Sequence, residues 1–185
     1  MTEAVFDKAY GFTLGAEGGY SNVAGDKGGE TIYGIARNAN PEWAGWTLVD
    51  SYKHENGMDV KGLVTDQILK SAAKVFYKQK YWSAVNGDAY QADVACVLFD
   101  CAVNHGVTRA NKILQEAAGV TVDGVIGPIT MSQVNLYNGK ALAGLMLNVR
   151  TRLYKNIVVA NPTQTKFLKG WLNRVANLKR FLNIA

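Results

Sequence analysis

Three observations predict a mainly α fold with one small hairpin or turn region behind the first helix. Apolar residues recur at steps of three and four through most of the chain, the period of a helix with one buried face. Glycines stand where those stretches stop, and almost no period-two alternation of the kind strands show is present.

Taken in order, residues Thr2 to Glu17 place Val5, Phe6, Ala9, Tyr10, Thr13, Leu14 and Glu17 on one stripe, so Glu17 is expected to end the first helix. The run from Gly18 to Thr31 is too rich in Gly, Asn, Asp and Ser for helix and reads as tight turns or a short hairpin, with structure resuming near 32–39. Pro41 to Gly62 reads as an irregular aromatic stretch holding Trp43, Trp46, Tyr52 and His54. Thr65 is the expected cap of a helix running from Asp66 to about Trp82, with Ile68, Ala72, Val75, Phe76 and Tyr81 as its apolar stripe.

Asn86 to Gln91 breaks the pattern and suggests two lobes, 1–90 and 91–185. Beyond it, Asp93 is the expected cap of a helix through Asn104 that Gly106 ends, and Thr108 of another through Ala118 that Gly119 stops. Pro128 suits the first turn of the next helix, and long helices around 138–159 and 163–182 finish the chain.

Composition narrows the class of function. A chain of 185 residues with 48% hydrophobic content can bury a sizeable core, as one domain or two small lobes. The net charge of +5 favours a polyanion: nucleic acid, an anionic membrane face or a bacterial wall. No basic motif with interleaved aromatics supports nucleic acid, so no nucleic-acid partner is expected. The last third holds Arg150, Arg152, Lys155, Lys166, Lys169, Arg174, Lys179 and Arg180, either a steering face or a solvated helix surface.

Cys96 and Cys101, five residues apart on one apolar helix, point to different faces and read as reduced core residues. His54 and His105 stand far apart, no spacing suits a metal, and neither metal nor organic cofactor is expected. No stretch reaches the ~18 uncharged apolar residues of a membrane span. The start Met-Thr-Glu-Ala-Val-Phe-Asp has neither basic region nor apolar run, so a chain made in a cytoplasm is expected.

One constellation suits glycosidic cleavage, which needs a carboxylic acid kept protonated and a second group to stabilise the cation or guide water. Glu17, beside Phe12, Leu14 and Tyr20 at a helix C-terminus, is placed to have its pKa raised, while Asp26 on a polar turn stays ionised. Glu30 is a rival second carboxylate. Tyr20, Tyr33, Trp43 and Trp46 either stack on sugar rings or fill the core. Asn104 either lines a sugar cleft or, like His105, completes a helix end, and Trp82 and Trp171 read as core.

The string Glu17-Gly18-Gly19-Tyr20-Ser21-Asn22, followed by Asp26-Lys27-Gly28-Gly29-Glu30-Thr31-Ile32-Tyr33-Gly34-Ile35, closely resembles the signature of the glycoside hydrolase family 108 N-acetylmuramidases. Phe99 to Gly106, Leu114-Gln115 and Asp123 to Thr130 resemble the peptidoglycan-binding region that follows it, the matches spanning roughly residues 10 to 175. The Glu17, Asp26, Thr31 spacing is also similar to the Glu, Asp, Thr trio of phage lysozymes, although there the threonine lies one residue further on.

The resemblance implies a lysozyme-like helical fold with the glycan between two lobes. It implies hydrolysis of the β-1,4 bond from N-acetylmuramic acid to N-acetylglucosamine, with Glu17 as acid and Asp26 and Thr31 as helpers. Peptidoglycan glycan strands are the expected partner of a monomer. An endolysin that waits in the host cytoplasm and depends on a holin to reach the wall fits the same picture. Its rivals are a lytic transglycosylase, using one Glu as acid and then base, and a wall-binding or secretion-accessory protein without catalysis.

Overall fold

The computed structural model describes residues 2–15, 19–23, 28–57 and 62–185. Its elements run α1 (Thr2–Leu14), β1 (Tyr20–Ser21), β2 (Thr31–Ile32), β3 (Ile35–Ala36), α2 (Gly45–Asn56), α3 (Gln67–Tyr77), α4 (Ala92–His105), α5 (Val107–Ala118), α6 (Pro128–Val134), α7 (Gly139–Ala160) and α8 (Thr165–Phe181). The mainly α, lysozyme-like class is therefore what forms, and the glycine-rich run with the residues just after it gives, among the described residues, a three-stranded antiparallel sheet of order β1-β2-β3. Among the described residues no helix is long and apolar enough to cross a membrane.

Contacts divide the chain into two compact units, one of Thr13–Lys80 and one of Met1–Phe12 with Tyr81–Ala185. In the larger unit α4 is central: Val94 to Ala102 are buried on every side, with α5 and α7 packed against it and α8 against α7. A helix apolar all round can be satisfied only inside a bundle. Phe6 of α1 joins this core, its ring 5.4 Å from Trp82 and 5.7 Å from Phe99, both edge to face. Cys96 and Cys101 are free and buried there, and burial lifts both thiols to about 11, which keeps them protonated.

Several boundaries differ from expectation for local reasons. Helix α1 stops at Leu14 rather than Glu17, because Gly15 takes φ 58, the left-handed conformation that ends a helix. Glu17 thus stands three positions beyond Leu14 in the sequence and itself lies outside the described residues. The stretch expected to be irregular from Pro41 to Gly62 contains α2, which buries Trp46 and Val49 and ends at Gly57 with φ 64. Its apolar stripe is too short to show a period.

Helix α3 is capped by Asp66, whose carboxylate accepts from Leu69 N at 2.7 Å, while the Thr65 hydroxyl turns back to Gly62 O. Its buried face is Leu69, Ala73 and Tyr77, one position along from the expected stripe; Ile68 and Val75 are 68% and 53% exposed. After Tyr77 the chain passes into a π-helical turn, Lys78–Ser83, that buries Trp82.

Asp93 does not cap α4 but lies in its first turn; the N-cap is Gln91, whose side chain accepts from Gly139 N at 2.8 Å and donates to Tyr137 O at 3.0 Å. Thr108 likewise lies inside α5, whose N-cap is Gly106 at φ 81. The glycine stops at 106 and 119 and Pro128 at the start of α6 are as expected.

The basic last third is not one solvated face. Arg150 is 0% exposed and pairs with the equally buried Asp100, which Arg174 also grips. Burial alone would push the Asp100 carboxyl up, but the two guanidiniums outweigh it and hold the group below the usual carboxylate value.

Candidate active site

The site is built on the small sheet of the 13–80 unit. Strand β1 pairs Tyr20 with Ile32 and Ser21 with Thr31; β2 pairs Thr31 with Ala36 and Ile32 with Ile35. The link between β2 and β3 is the dipeptide Tyr33-Gly34, with φ 51 and φ 75. Two positive φ angles make the tight turn whose twist matches flanking antiparallel strands. Tyr33 tolerates this strained backbone because it is held on three sides: its N–H donates to Gly19 O at 3.3 Å, its hydroxyl to Leu63 O at 3.0 Å, and its own carbonyl accepts from the Tyr77 hydroxyl at 3.0 Å.

Beside the sheet lies a charged cluster around Glu30. Its Oε1 accepts from the Tyr20 hydroxyl at 2.6 Å and from Lys53 Nζ at 2.9 Å, and Arg37 Nε stands 3.0 Å from Oε2. The side chain is 8% exposed, so these two hydrogen-bond donors and the Arg37 cation replace water almost completely. Burial raises the carboxyl's pKa, yet Tyr20, Lys53 and Arg37 together outweigh burial and hold it below the ordinary value. Glu30 is therefore an anion at working pH, with both oxygens occupied. The Tyr20 phenol moves the other way, raised first by burial and then by Glu30.

The cluster reaches outward through Arg37. Its terminal nitrogens bind Asp50 at 3.2 and 2.7 Å, and its guanidinium lies 4.4 Å from the Trp46 ring centroid. Trp46 is buried and donates its indole N–H to Asn40 O at 2.8 Å; Trp43, also buried, meets it edge to face at 5.0 Å. The outer side of Trp43 borders a groove of about 620 Å³ shared with Pro41, Val75 and Phe76.

The structure thus gathers Tyr20, Thr31, Tyr33 and Trp46 around one sheet and its cluster, with Trp43 behind Trp46. Thr31 is half-buried and its hydroxyl donates to Gly29 O at 3.1 Å, which leaves the oxygen's lone pairs to accept. Tyr33 and Trp46 have their polar atoms committed inside the unit, so packing is the use the fold makes of them. Glu17 and Asp26 lie outside the described residues. Asn104 belongs to the other unit, exposed on the last turn of α4, with its amide donating to Asp100 O at 2.7 Å. His105 beside it meets the Tyr154 hydroxyl at 3.0 Å, and burial, then Arg150, lowers its pKa to about 4.

Arg37, Lys53 and Asp50 carry no sequence signal for this role. Arg37 and Lys53 lie 7 and 23 residues from Glu30, Lys53 meets it only after α2 has packed beside the sheet, and Asp50 joins the cluster through Arg37; Glu30 itself was legible only as a carboxylate next to Thr31.

In the other unit, the turn from Asp123 to Pro128 is clamped by Gln115. Its amide nitrogen donates to Asp123 Oδ1 at 2.7 Å and Val125 O at 3.0 Å, and its oxygen accepts from Gly124 N at 2.7 Å.

Residues 10–106 match the family model described as Glycosyl hydrolase 108, and residues 109–176 the one described as Predicted Peptidoglycan domain. Among solved structures the chain is similar to SagA of Brucella abortus, with a TM-score of 0.68 and 29% identity, covering 98% of this chain and 96% of that one. Among curated proteins nothing matches.

Proposed function

The chain belongs to the glycosyl hydrolase 108 family and is a glycoside hydrolase of peptidoglycan, and from that premise we propose that it is an N-acetylmuramidase using Glu17 as its catalytic acid. The observation that carries the reading is the place of Glu17-Gly18-Gly19-Tyr20 inside the matched family segment, its Tyr20 opening the first strand of the sheet.

In the proposed reaction the Glu17 carboxyl gives its proton to the oxygen bridging N-acetylmuramic acid and N-acetylglucosamine, the C1–O bond breaks, and positive charge spreads over the muramic ring. Asp26 stabilises that charge or orients the water whose oxygen forms the new bond to C1, and the proton that water releases passes to a carboxylate or to solvent, from which Glu17 is reprotonated. Thr31 supports the water through its accepting lone pairs. Glu30 is not the second carboxylate in this scheme: a group gripped by two cations and a phenol is a weak base and nucleophile. The same proposal extends to an endolysin's role in lysis, for which the protein must reach the wall.

Mass spectrometry of fragments released from purified peptidoglycan tests the reading, with Glu17→Gln and Asp26→Asn run in parallel. Products ending in reducing N-acetylmuramic acid that vanish with Glu17→Gln are expected. Anhydro-muramic ends would instead identify a lytic transglycosylase, and full activity in Asp26→Asn would remove Asp26 from the scheme.

A further inference from the structure

A strand of two residues holds its register poorly, because two paired residues bring few ladder bonds and little buried side-chain area. Strand β1 is such a strand: Tyr20 and Ser21 pair with β2, and beyond them one backbone bond, Tyr33 N–H to Gly19 O at 3.3 Å, ties the chain leading into it. What adds to these is the side-chain bond from the Tyr20 hydroxyl to Glu30, at 2.6 Å the shortest of the contacts around that carboxylate. Glu30 in turn is fixed from outside the sheet, by Lys53 of α2 and by Arg37, whose own backbone N–H donates to Glu30 O at 2.8 Å. The Glu30 carboxylate, one residue before Thr31, thus joins α2 to β1 at Tyr20, which stands three residues after Glu17.

We infer that Glu30 is a positioning residue for glycoside cleavage: its carboxylate, caged by Lys53 and Arg37, holds Tyr20 and with it the register of the strand that follows the catalytic acid. The inference rests on Glu17 being that acid. Glu30 touches neither substrate nor the reacting atoms; it acts through Tyr20. Its charge is what makes the tie strong, since a hydrogen bond to an ionised acceptor in a water-poor site is roughly twice as strong as a neutral one. The phenol donates, the carboxylate accepts, and the two cations keep the acceptor ionised.

Kinetics on soluble peptidoglycan glycan fragments of defined length test it, with the wild type, Glu30→Gln, Tyr20→Phe and the double variant compared per folded molecule, and Glu17→Gln as reference. Glu30→Gln keeps the shape and removes the charge; Tyr20→Phe removes the hydroxyl's bond to Glu30, together with its contact to Asn22, and leaves the cage intact, so it reports even where Glu30→Gln folds poorly. A slip of about 1 Å in a catalytic group costs on the order of a hundredfold in rate. Each single variant is therefore expected to lose about tenfold to a hundredfold in kcat, with KM within about twofold. The double variant should be no worse than the poorer single one, because both break the same tie.

A residue serving stability alone would lower the unfolding temperature and the folded fraction while kcat per folded molecule stayed at the wild-type value; that result overturns the inference, as does a raised KM at unchanged kcat. Loss of activity in Glu17→Gln with wild-type kcat in Glu30→Gln sinks this inference and leaves the muramidase reading standing. Activity retained in Glu17→Gln removes both.

Discussion

Arg150, wholly buried on α7, donates to the carboxylate of Asp100, wholly buried on α4 and fifty residues earlier in the chain. The same guanidinium donates from Nε to the Tyr154 hydroxyl at 2.8 Å, and Arg174 of α8 reaches Asp100 with Nε at 3.1 Å. One carboxylate thus pins three helices of the larger unit. Breaking such a buried pair typically costs about 3–5 kcal/mol, and because Asp100 would keep the part-exposed Arg174, the lower end of that range applies. Arg150→Met is expected to destabilise the protein by that order, read as a lowered midpoint in urea unfolding. Arg150→Lys should recover little of it, since a single ammonium cannot serve Asp100 and Tyr154 in the fork geometry the guanidinium provides.

His105 makes stability depend on pH in a defined window. Its folded value of about 4 lies below the ordinary 6.5, because burial and Arg150 disfavour the charged ring. The unfolded chain therefore binds this proton first, and stability falls as the pH drops from about 6.5 towards 4. Asp100 and Glu30 are held below the ordinary carboxylate range, so the stability they contribute is lost only at more acid pH, as the pH falls through their folded values. Unfolding temperatures measured between pH 7 and 4.5 should decline in the wild type and decline much less in His105→Gln; equal slopes would show that another group titrates.

Gly34→Ala should damage the sheet. The residue has φ 75, and a Cβ there would lie 2.8 Å from the Tyr77 hydroxyl that bonds Tyr33 O. Left-handed backbone in a residue other than glycine costs on the order of 1–3 kcal/mol, and displacing Tyr77 adds to it. Circular dichroism melting should show the loss, with activity on peptidoglycan falling in step because the site is built on this sheet.

Gln115→Leu tests the clamp on the turn at 123–127. The Gln115 side chain is 1% exposed and makes three short bonds to that turn, whose own groups are half-buried or exposed, so their loss costs about 1 kcal/mol. Hydrogen exchange at the Gly124 and Val125 amides is expected to accelerate while the amides of α4 stay protected. Unchanged exchange at Gly124 would mean the turn holds itself.

Helix ends with a local cause were legible without coordinates. Gly106, Gly119 and Pro128 end and begin helices because glycine alone enters the left-handed region freely and proline suits a first turn, preferences carried by the residue itself. The hairpin behind the first helix was legible as composition, and the family as a continuous string, for the same reason: adjacent residues carry the information.

Where two local answers competed, the sequence could not choose. Helix α3 carries an apolar stripe at Ile68, Ala72 and Val75 and another at Leu69, Ala73 and Tyr77, and only packing selected the second. Asp66 and Thr65 both qualified as its cap.

By itself the sequence determined a mainly α chain, its glycine stops, its two free buried cysteines and its membership of a glycosidase family, because each is written in periodicity, in single residues or in an unbroken motif. The tertiary structure alone decided that Arg150 would be buried against Asp100 and that Glu30 would be caged by Arg37 and Lys53. A charge near the surface and a charge in the core are the same letter, and what separates them is a partner 7 to 50 residues away that only the folded chain brings within hydrogen-bonding distance.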